Sequence, residues 1–266
     1  MAKSSRYDRL IEAIFLSNYS KGAVVVDFER EDIVRHAGKL KVTLPKNLGD
    51  VVYSFRYRKR LPDQITKRAP KGKSWVILPV GKALYRFVAL DVTEFTPNTM
   101  LAETWVPDAT PGVISMYALS DEQALLARLR YNRLVDVFSR VTCYSMQSHL
   151  RTSVPDLGQV ETDELYVGLD RAGAHYVFPV QAKGGRDKLG VVQVYQDYEL
   201  CAYKFPSLIC RPIGAQFMPD GVIAMFEFER QGLGAAIVLE KHYRLVAPDD
   251  LPAEELAKYR PLDTDD

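Results

Sequence analysis

The stretch that most constrains this chain lies between residues 165 and 246. Two strand-like apolar runs, "LYVGLD" (165–170) and "HYVFPVQAK" (175–183), are separated only by the turn "RAGA". A helical pattern follows, "LGVVQVYQDYELCAYKF" (189–205), and then three more strand-like runs at 208–218, 222–229 and 235–246. Strands on both sides of a helix, each rich in β-branched and aromatic residues, read as an α/β layer architecture. Hydrophobic residues make up 47% of the 266, enough to fill real cores on both sides of a sheet.

Upstream the pattern changes. Leu10, Ile11, Ile14 and Phe15 mark one face of a helix over 6–19, "VVVDF" (24–28) is extended, and Ile33, Val34 and Ala37 mark a second helix over 29–40. Asn47 is placed to cap a third, "LGDVVYSFRYRKR", which Pro62 ends. Two apolar runs, 74–80 and 83–90, meet at Gly81-Lys82 as a hairpin. Three helices and a hairpin are the order of a winged helix-turn-helix, so residues 1–90 are expected to form a DNA-binding unit of that kind. Residues 91–119, with Pro97, Pro107, Pro111 and Gly112, read as a connector with some strand. Ser120 and Gln123 form a capping box opening a long helix, 120–139. A second domain is expected over 120–250, and an acidic tail over 251–266.

The second strand run ends on Gln181-Ala182-Lys183, where polar side chains are costly unless they have partners. Side chains alternate along a strand, so Gln181 and Lys183 share one face while Phe178, Val180 and Ala182 share the other. In the preceding run Leu165, Val167 and Leu169 form the apolar face. If the apolar faces align, Glu164 stands beside Gln181 and Lys183; a bulge would substitute Asp163. A carboxylate and an amide oxygen suit a hard cation such as Mg²⁺ or Mn²⁺, and an ammonium nearby can offset charge on a reacting phosphate. These groups together point to metal-assisted phosphodiester hydrolysis.

The segment "GQVETDELYVGLDRAGAHYVFPVQAKGG" resembles the core of the PD-(D/E)xK, or restriction-endonuclease-like, nucleases. In that superfamily an acid on one strand precedes a strand ending in Asp/Glu-x-Lys. The likeness covers residues 120 to 230 and implies a mixed sheet flanked by helices. It makes Glu164 or Asp163 the first metal-binding acid, Gln181 the second ligand and Lys183 the catalytic lysine. Gln181 departs from the usual carboxylate, as in Gln-x-Lys variants of the superfamily. Gln193 and Gln196, on the next helix, match a position where the family often adds a polar site residue. Asp156 after Pro155 spells "PD" outside the strand and ranks below Glu164.

Formal net charge is +1, so a nucleic-acid partner must be met by a local patch. The run 55–73 supplies one: Arg56, Arg58, Lys59, Arg60, Lys67, Arg68, Lys71 and Lys73, with Tyr53 and Tyr57 beside them. It falls where a winged helix meets DNA phosphates and base edges; a solvated helix end would also carry such charge. No run is long enough to span a membrane, and no signal peptide is evident. Cys143, Cys201 and Cys210 are expected as buried thiols of a reducing cytoplasm. Among the histidines only His149, just before the site strand, invites a test. The expected function is a metal-dependent endonuclease on double-stranded DNA, of restriction or phage-defence type, acting as a homodimer. The alternative is a DNA-binding transcription regulator with an inactive nuclease-like domain. The likeness of "VETDELYVG" to the first acidic strand of RNase H-like transposases ranks third, since it leaves Gln181 and Lys183 without a role.

Overall fold

The computed structural model describes residues 5–57, 59–117, 122–184 and 187–260. The first part comprises helix α1 (Arg6–Asn18), strand β1 (Val25–Glu29), helices α2 (Arg30–Leu40), α3 (Gly49–Tyr57) and α4 (Asp63–Thr66), and hairpin β2 (Ser74–Gly81) and β3 (Leu84–Leu90). Its strands make an antiparallel sheet in the order β1-β3-β2. The predicted apolar face of α1 is fully buried, against Phe28, Ile77 and Phe87 among others. A capping box starts that helix: Ser5 Oγ accepts from the Asp8 N–H at 3.2 Å, and Asp8 Oδ2 accepts from the Ser5 N–H at 2.7 Å. Asn47 does what its position implies, its Oδ1 accepting from the Gly49 N–H at 3.1 Å.

The remaining elements are β4 (Glu94–Phe95), β5 (Glu103–Pro107), α5 (Gly112–Tyr117), α6 (Glu122–Tyr131), α7 (Leu134–Ser139), β6 (Thr142–Val154), β7 (Gly158–Leu169), β8 (His175–Lys183), β9 (Leu189–Gly190), α8 (Val191–Lys204), β10 (Ile209–Cys210), β11 (Ile213–Phe217), β12 (Ile223–Gln231), β13 (Gly234–Val246) and α9 (Ala253–Ala257). They build a large mixed sheet in the order β5-β13-β12-β11-β8-β7-β6, with β10 also pairing β8. The meander β6-β7-β8 is antiparallel; α8 then returns the chain so that β11 runs parallel to β8. Such a parallel return needs a crossover, and a helix supplies it. Leu125 and Leu129 of α6 and Phe138 of α7 cover one face, packing on Phe178, Val180 and Met225. Helix α8 covers the other, and Leu78 and Val88 of the first hairpin share a core with its Val191 and Tyr195.

The structure departs from the sequence expectations in several places. The long helix expected over 120–139 breaks between α6 and α7, where Arg133 takes φ 49°. The buried Asn132 diverts its amide: Oδ1 accepts from the Ala109 N–H at 2.7 Å, and Nδ2 donates to Thr110 Oγ1 at 2.9 Å. Ser120, its proposed cap, lies outside the described residues. The connector is structural: β5 extends the large sheet beside β13, and β4 pairs with β9. Strand β6 was not foreseen, because most of its residues are polar and exposed along the edge of the sheet. The tail is tied back through Tyr259, whose hydroxyl accepts from the Trp105 N–H at 2.9 Å; residues 261–266 lie outside the described residues.

Candidate active site

The register of β7 against β8 decides which carboxylate faces Gln181. Glu164 lies opposite Val180, Leu165 opposite Pro179 and Tyr166 opposite Phe178, and directly opposed residues share a face. Glu164 therefore stands with Val180 on the α6 side, and the expected alignment of apolar faces is corrected. The cause is that helices cover both faces of the sheet, so apolarity marks neither face as the inner one. Glu164 is 0% exposed, and its Oε1 accepts from Arg130 Nη2 at 2.8 Å, Arg130 Nε at 3.0 Å and Ser145 Oγ at 2.5 Å. It stands apart from Gln181 and Lys183 and leaves the candidate catalytic and metal-binding set.

Asp163 takes its place. Regular β7–β8 pairing stops at Glu164, and beyond it side chains replace backbone groups in the ladder. Asp163 Oδ2 accepts from the Ala182 N–H at 2.8 Å, and Thr162 Oγ1 donates to the Val180 carbonyl at 3.3 Å. The splayed strand ends open onto a cleft of about 1170 Å³ lined by Asp163, Gln181, Lys183, Gln193, Glu161 and Glu122, among others. Burial pushes the Asp163 carboxyl above its ordinary value, an effect that the Ala182 N–H and the Lys183 ammonium partly offset. Lys183 is itself largely buried and pairs with Glu122 Oε1 at 2.8 Å.

Gln181 is held from behind. Its Nε2 lies 3.1 and 3.0 Å from the two oxygens of Asp197 and 3.2 Å from the Glu161 carbonyl, to all of which it can donate. Its Oε1 accepts from Gln193 Nε2 at 3.3 Å. Gln193 is fixed in turn by the Gly190 N–H, which donates to its Oε1 at 3.2 Å. Asp197 is 1% exposed and has no cation paired with it among the described residues; burial holds its carboxyl well above the ordinary range, Gln181 lowers it and nearby Asp163 raises it. Asp197 and Glu122 were missed in the sequence. A signal for Asp197 existed: Gln193, Gln196 and Asp197 recur at helical spacing among the apolar residues of α8. The sheet beside Gln181 is tightly packed. Gly214 is its β11 neighbour, and a Cβ there would lie 2.4 Å from Leu189 Cδ2.

The basic run divides. Arg56, Lys59 and Arg60 line the same cleft, on its far side, at the end of α3. Lys59 is already tied to Asp8 at 2.9 Å. Lys73 pairs with Asp91 at 2.7 Å, and Arg68 donates to Gln64 Oε1 at 2.9 Å. Lys67 and Lys71 are exposed and, like Arg68 and Lys73, are not among the residues lining the cleft. Arg58 lies outside the described residues. Tyr57 joins the two halves: its hydroxyl donates to Gln196 Oε1 at 2.7 Å, and burial pushes its pKa up to about 12, keeping it a donor. Gln196 Nε2 donates to the Glu161 carbonyl at 2.6 Å. His149 contacts Gln123, ring nitrogen to amide nitrogen at 2.8 Å, and Asp156 accepts from the Lys82 N–H at 3.1 Å.

Among the described residues, no three His, Cys, Asp or Glu side chains are grouped to hold a metal. Two hard oxygens remain at the cleft from the expected set, the Asp163 carboxylate and Gln181 Oε1. Mg²⁺ commonly uses one or two carboxylates and completes its shell with water and substrate phosphates, so these residues fit an ion that arrives with phosphate and not a dedicated cage. Among the described residues no helix is long and apolar enough to cross a membrane, and the three cysteines are free thiols. Compared with protein-family models, with curated proteins and with solved structures, the chain matches none.

Proposed function

We propose that this chain is a metal-dependent DNA endonuclease whose reaction takes place in the cleft between the β7–β8 strand ends and the end of α3. The observation that carries the reading is the meeting of Asp163, Gln181 and Lys183 in one cleft, at the point where β7 and β8 part. This is the acid, glutamine and lysine order of a Gln-x-Lys member of the PD-(D/E)xK superfamily. The meander, crossover helix and parallel strand around it support a restriction-endonuclease-like sheet, and the order β1-β3-β2 behind α1–α3 supports a winged helix.

Asp163 and Gln181 Oε1 would hold Mg²⁺ or Mn²⁺ together with phosphate oxygens of the substrate. When bound, the ion supplies an acidified water and a positive charge beside the phosphorus. Asp197 holds the Gln181 amide nitrogen from behind, which leaves the amide oxygen on the side of Gln193 and the cleft. Lys183, held by Glu122, is placed to offset the charge that grows on the phosphate oxygens. The protein acts in the cytoplasm as a homodimer on DNA, since two antiparallel strands need two such centres and two-fold pairing supplies them. Sedimentation with and without duplex tests the pairing; a monomer making concerted double-strand breaks refutes it.

The deciding experiment is plasmid cutting by purified protein with Mg²⁺, against excess chelator. Cutting that survives the chelator refutes the metal. Lys183→Ala should reduce the rate by about 10²–10³-fold or more while leaving DNA binding nearly intact, the scale seen when a transition-state donor is lost. A second reading, a DNA-binding regulator with an inactive nuclease-like domain, is favoured by the lack of a three-ligand metal group among the described residues. DNA binding without any cutting in Mg²⁺ or Mn²⁺ would establish it.

A further inference from the structure

Arg56 presents a physical problem. Its Nε and Nη2 are shielded from solvent, yet neither has a hydrogen-bond partner. The guanidinium lies over the Tyr57 ring, 4.8 Å from the centroid, and has no carboxylate paired with it among the described residues. Other cations of the basic run have partners: Lys59 has Asp8, Lys73 has Asp91, Arg68 has Gln64. A shielded guanidinium without an anion is costly, and native proteins keep such groups where something else completes them. A second unpaired donor, Trp75 Nε1, lines the same cleft. Both groups can only donate, so the missing partner is an acceptor, and the charge of Arg56 makes it an anion.

The surroundings name its class. Arg56 opens onto the cleft that holds Lys183, Gln181 and Asp163. Tyr57, next to it in sequence, reaches Gln196, which shares the Glu161 carbonyl with Gln181. The end of α3 is thus linked to the candidate catalytic residues by hydrogen bonds through α8. A planar fork of donors fits two oxygens of one phosphate.

We propose that Arg56 and Trp75 form a phosphate pocket on the α3 wall of the cleft, which holds a backbone phosphate of the nucleic acid away from the bond to be cut. The first domain is then part of the catalytic cleft as well as a reader of DNA. The identity of the phosphate's carrier rests on the endonuclease reading; the anion pocket itself does not.

The test uses the full chain in excess chelator, with a short DNA duplex and inorganic phosphate as separate probes, and Arg56→Met and Arg56→Lys as variants. Arg56→Met is expected to bind the duplex about tenfold more weakly or worse, with a log–log salt slope shallower by about 0.9. It should melt at or above the wild-type temperature, because it removes a shielded charge that nothing pairs. Arg56→Lys keeps the charge without the fork and should fall between the two. Protection of wild type by inorganic phosphate, lost in Arg56→Met, would support the pocket independently of DNA. Unchanged duplex binding by Arg56→Met overturns the proposal, and so does melting well below wild type, which would make the arginine structural. Arg56-dependent binding by a wild type that never cuts in Mg²⁺ upholds the pocket and refutes the nuclease; cutting with an unaltered Arg56→Met does the reverse.

Discussion

Asp163 and Glu164 are neighbours in sequence and carry the same chemistry, but the fold treats them oppositely. Glu164 points beneath α6, where one oxygen collects Arg130 and Ser145 and the side chain is fully buried. Asp163 points to the cleft, substitutes for a backbone carbonyl in the β7–β8 ladder, and is held above its ordinary pKa by burial. The first carboxylate is paired with a guanidinium through Oε1, while its Oε2 is buried without a partner. The second is raised by burial and lines the cleft, which is where perturbed groups with a chemical role are found. One residue of register separates the two fates.

The comparison is best broken by paired substitutions. Asp163→Asn is expected to cost about 10²-fold or more in cutting rate, since it removes the carboxylate proposed to hold the ion with Gln181, with little loss of stability. Glu164→Gln should do the reverse: cutting near wild type, and a loss of about 2 kcal/mol from weakening charged hydrogen bonds to Arg130 and Ser145. Single-turnover cutting and urea unfolding on both variants measure this. If Glu164→Gln abolishes cutting in a stable protein, the assignment of the two carboxylates is inverted.

A smaller effect sharpens the contrast at Asp197. Its carboxyl is raised in the folded state, so the unfolded chain loses this proton first as pH rises. Its contribution to stability is therefore present in acid and is lost as pH climbs from the ordinary carboxylate range through the raised native value. Asp197→Asn removes that dependence. Its stability relative to wild type should increase with pH by at most about 1.4 kcal/mol per pH unit and level off above the native pKa. Unfolding curves for the two proteins that stay parallel across pH would show that Asp197 is not buried against its charge.

Much of this was legible in the chain. The apolar face of α1, the Asn47 cap, the first hairpin, the 170–174 turn and α8 follow from periodicity and turn chemistry, which act over a few residues; on α2 Ile33 and Ala37 are buried as expected, but Val34 is exposed. Gln181 and Lys183 were legible because polar groups ending an apolar strand need a reason. Strand β6 was not, since an exposed edge strand carries no apolar alternation. The break at Asn132 was not, because its amide satisfies groups at 109 and 110, more than twenty residues away.

The sequence by itself determined the helix and hairpin pattern of the first part, the strand–strand–helix order around the site, the local charge at 55–73 and the chemical kinds of group at the site. Tertiary structure alone decided which members of each set do the work. Strand register gave the cleft Asp163 in place of Glu164, helix packing put Asp197 behind Gln181, and the docking of α3 on α8 turned Arg56 toward Lys183's cleft while Lys73 and Arg68 found local partners. Register and docking depend on surfaces brought together from distant parts of the chain, and a sheet covered on both faces leaves no alternation from which to read them.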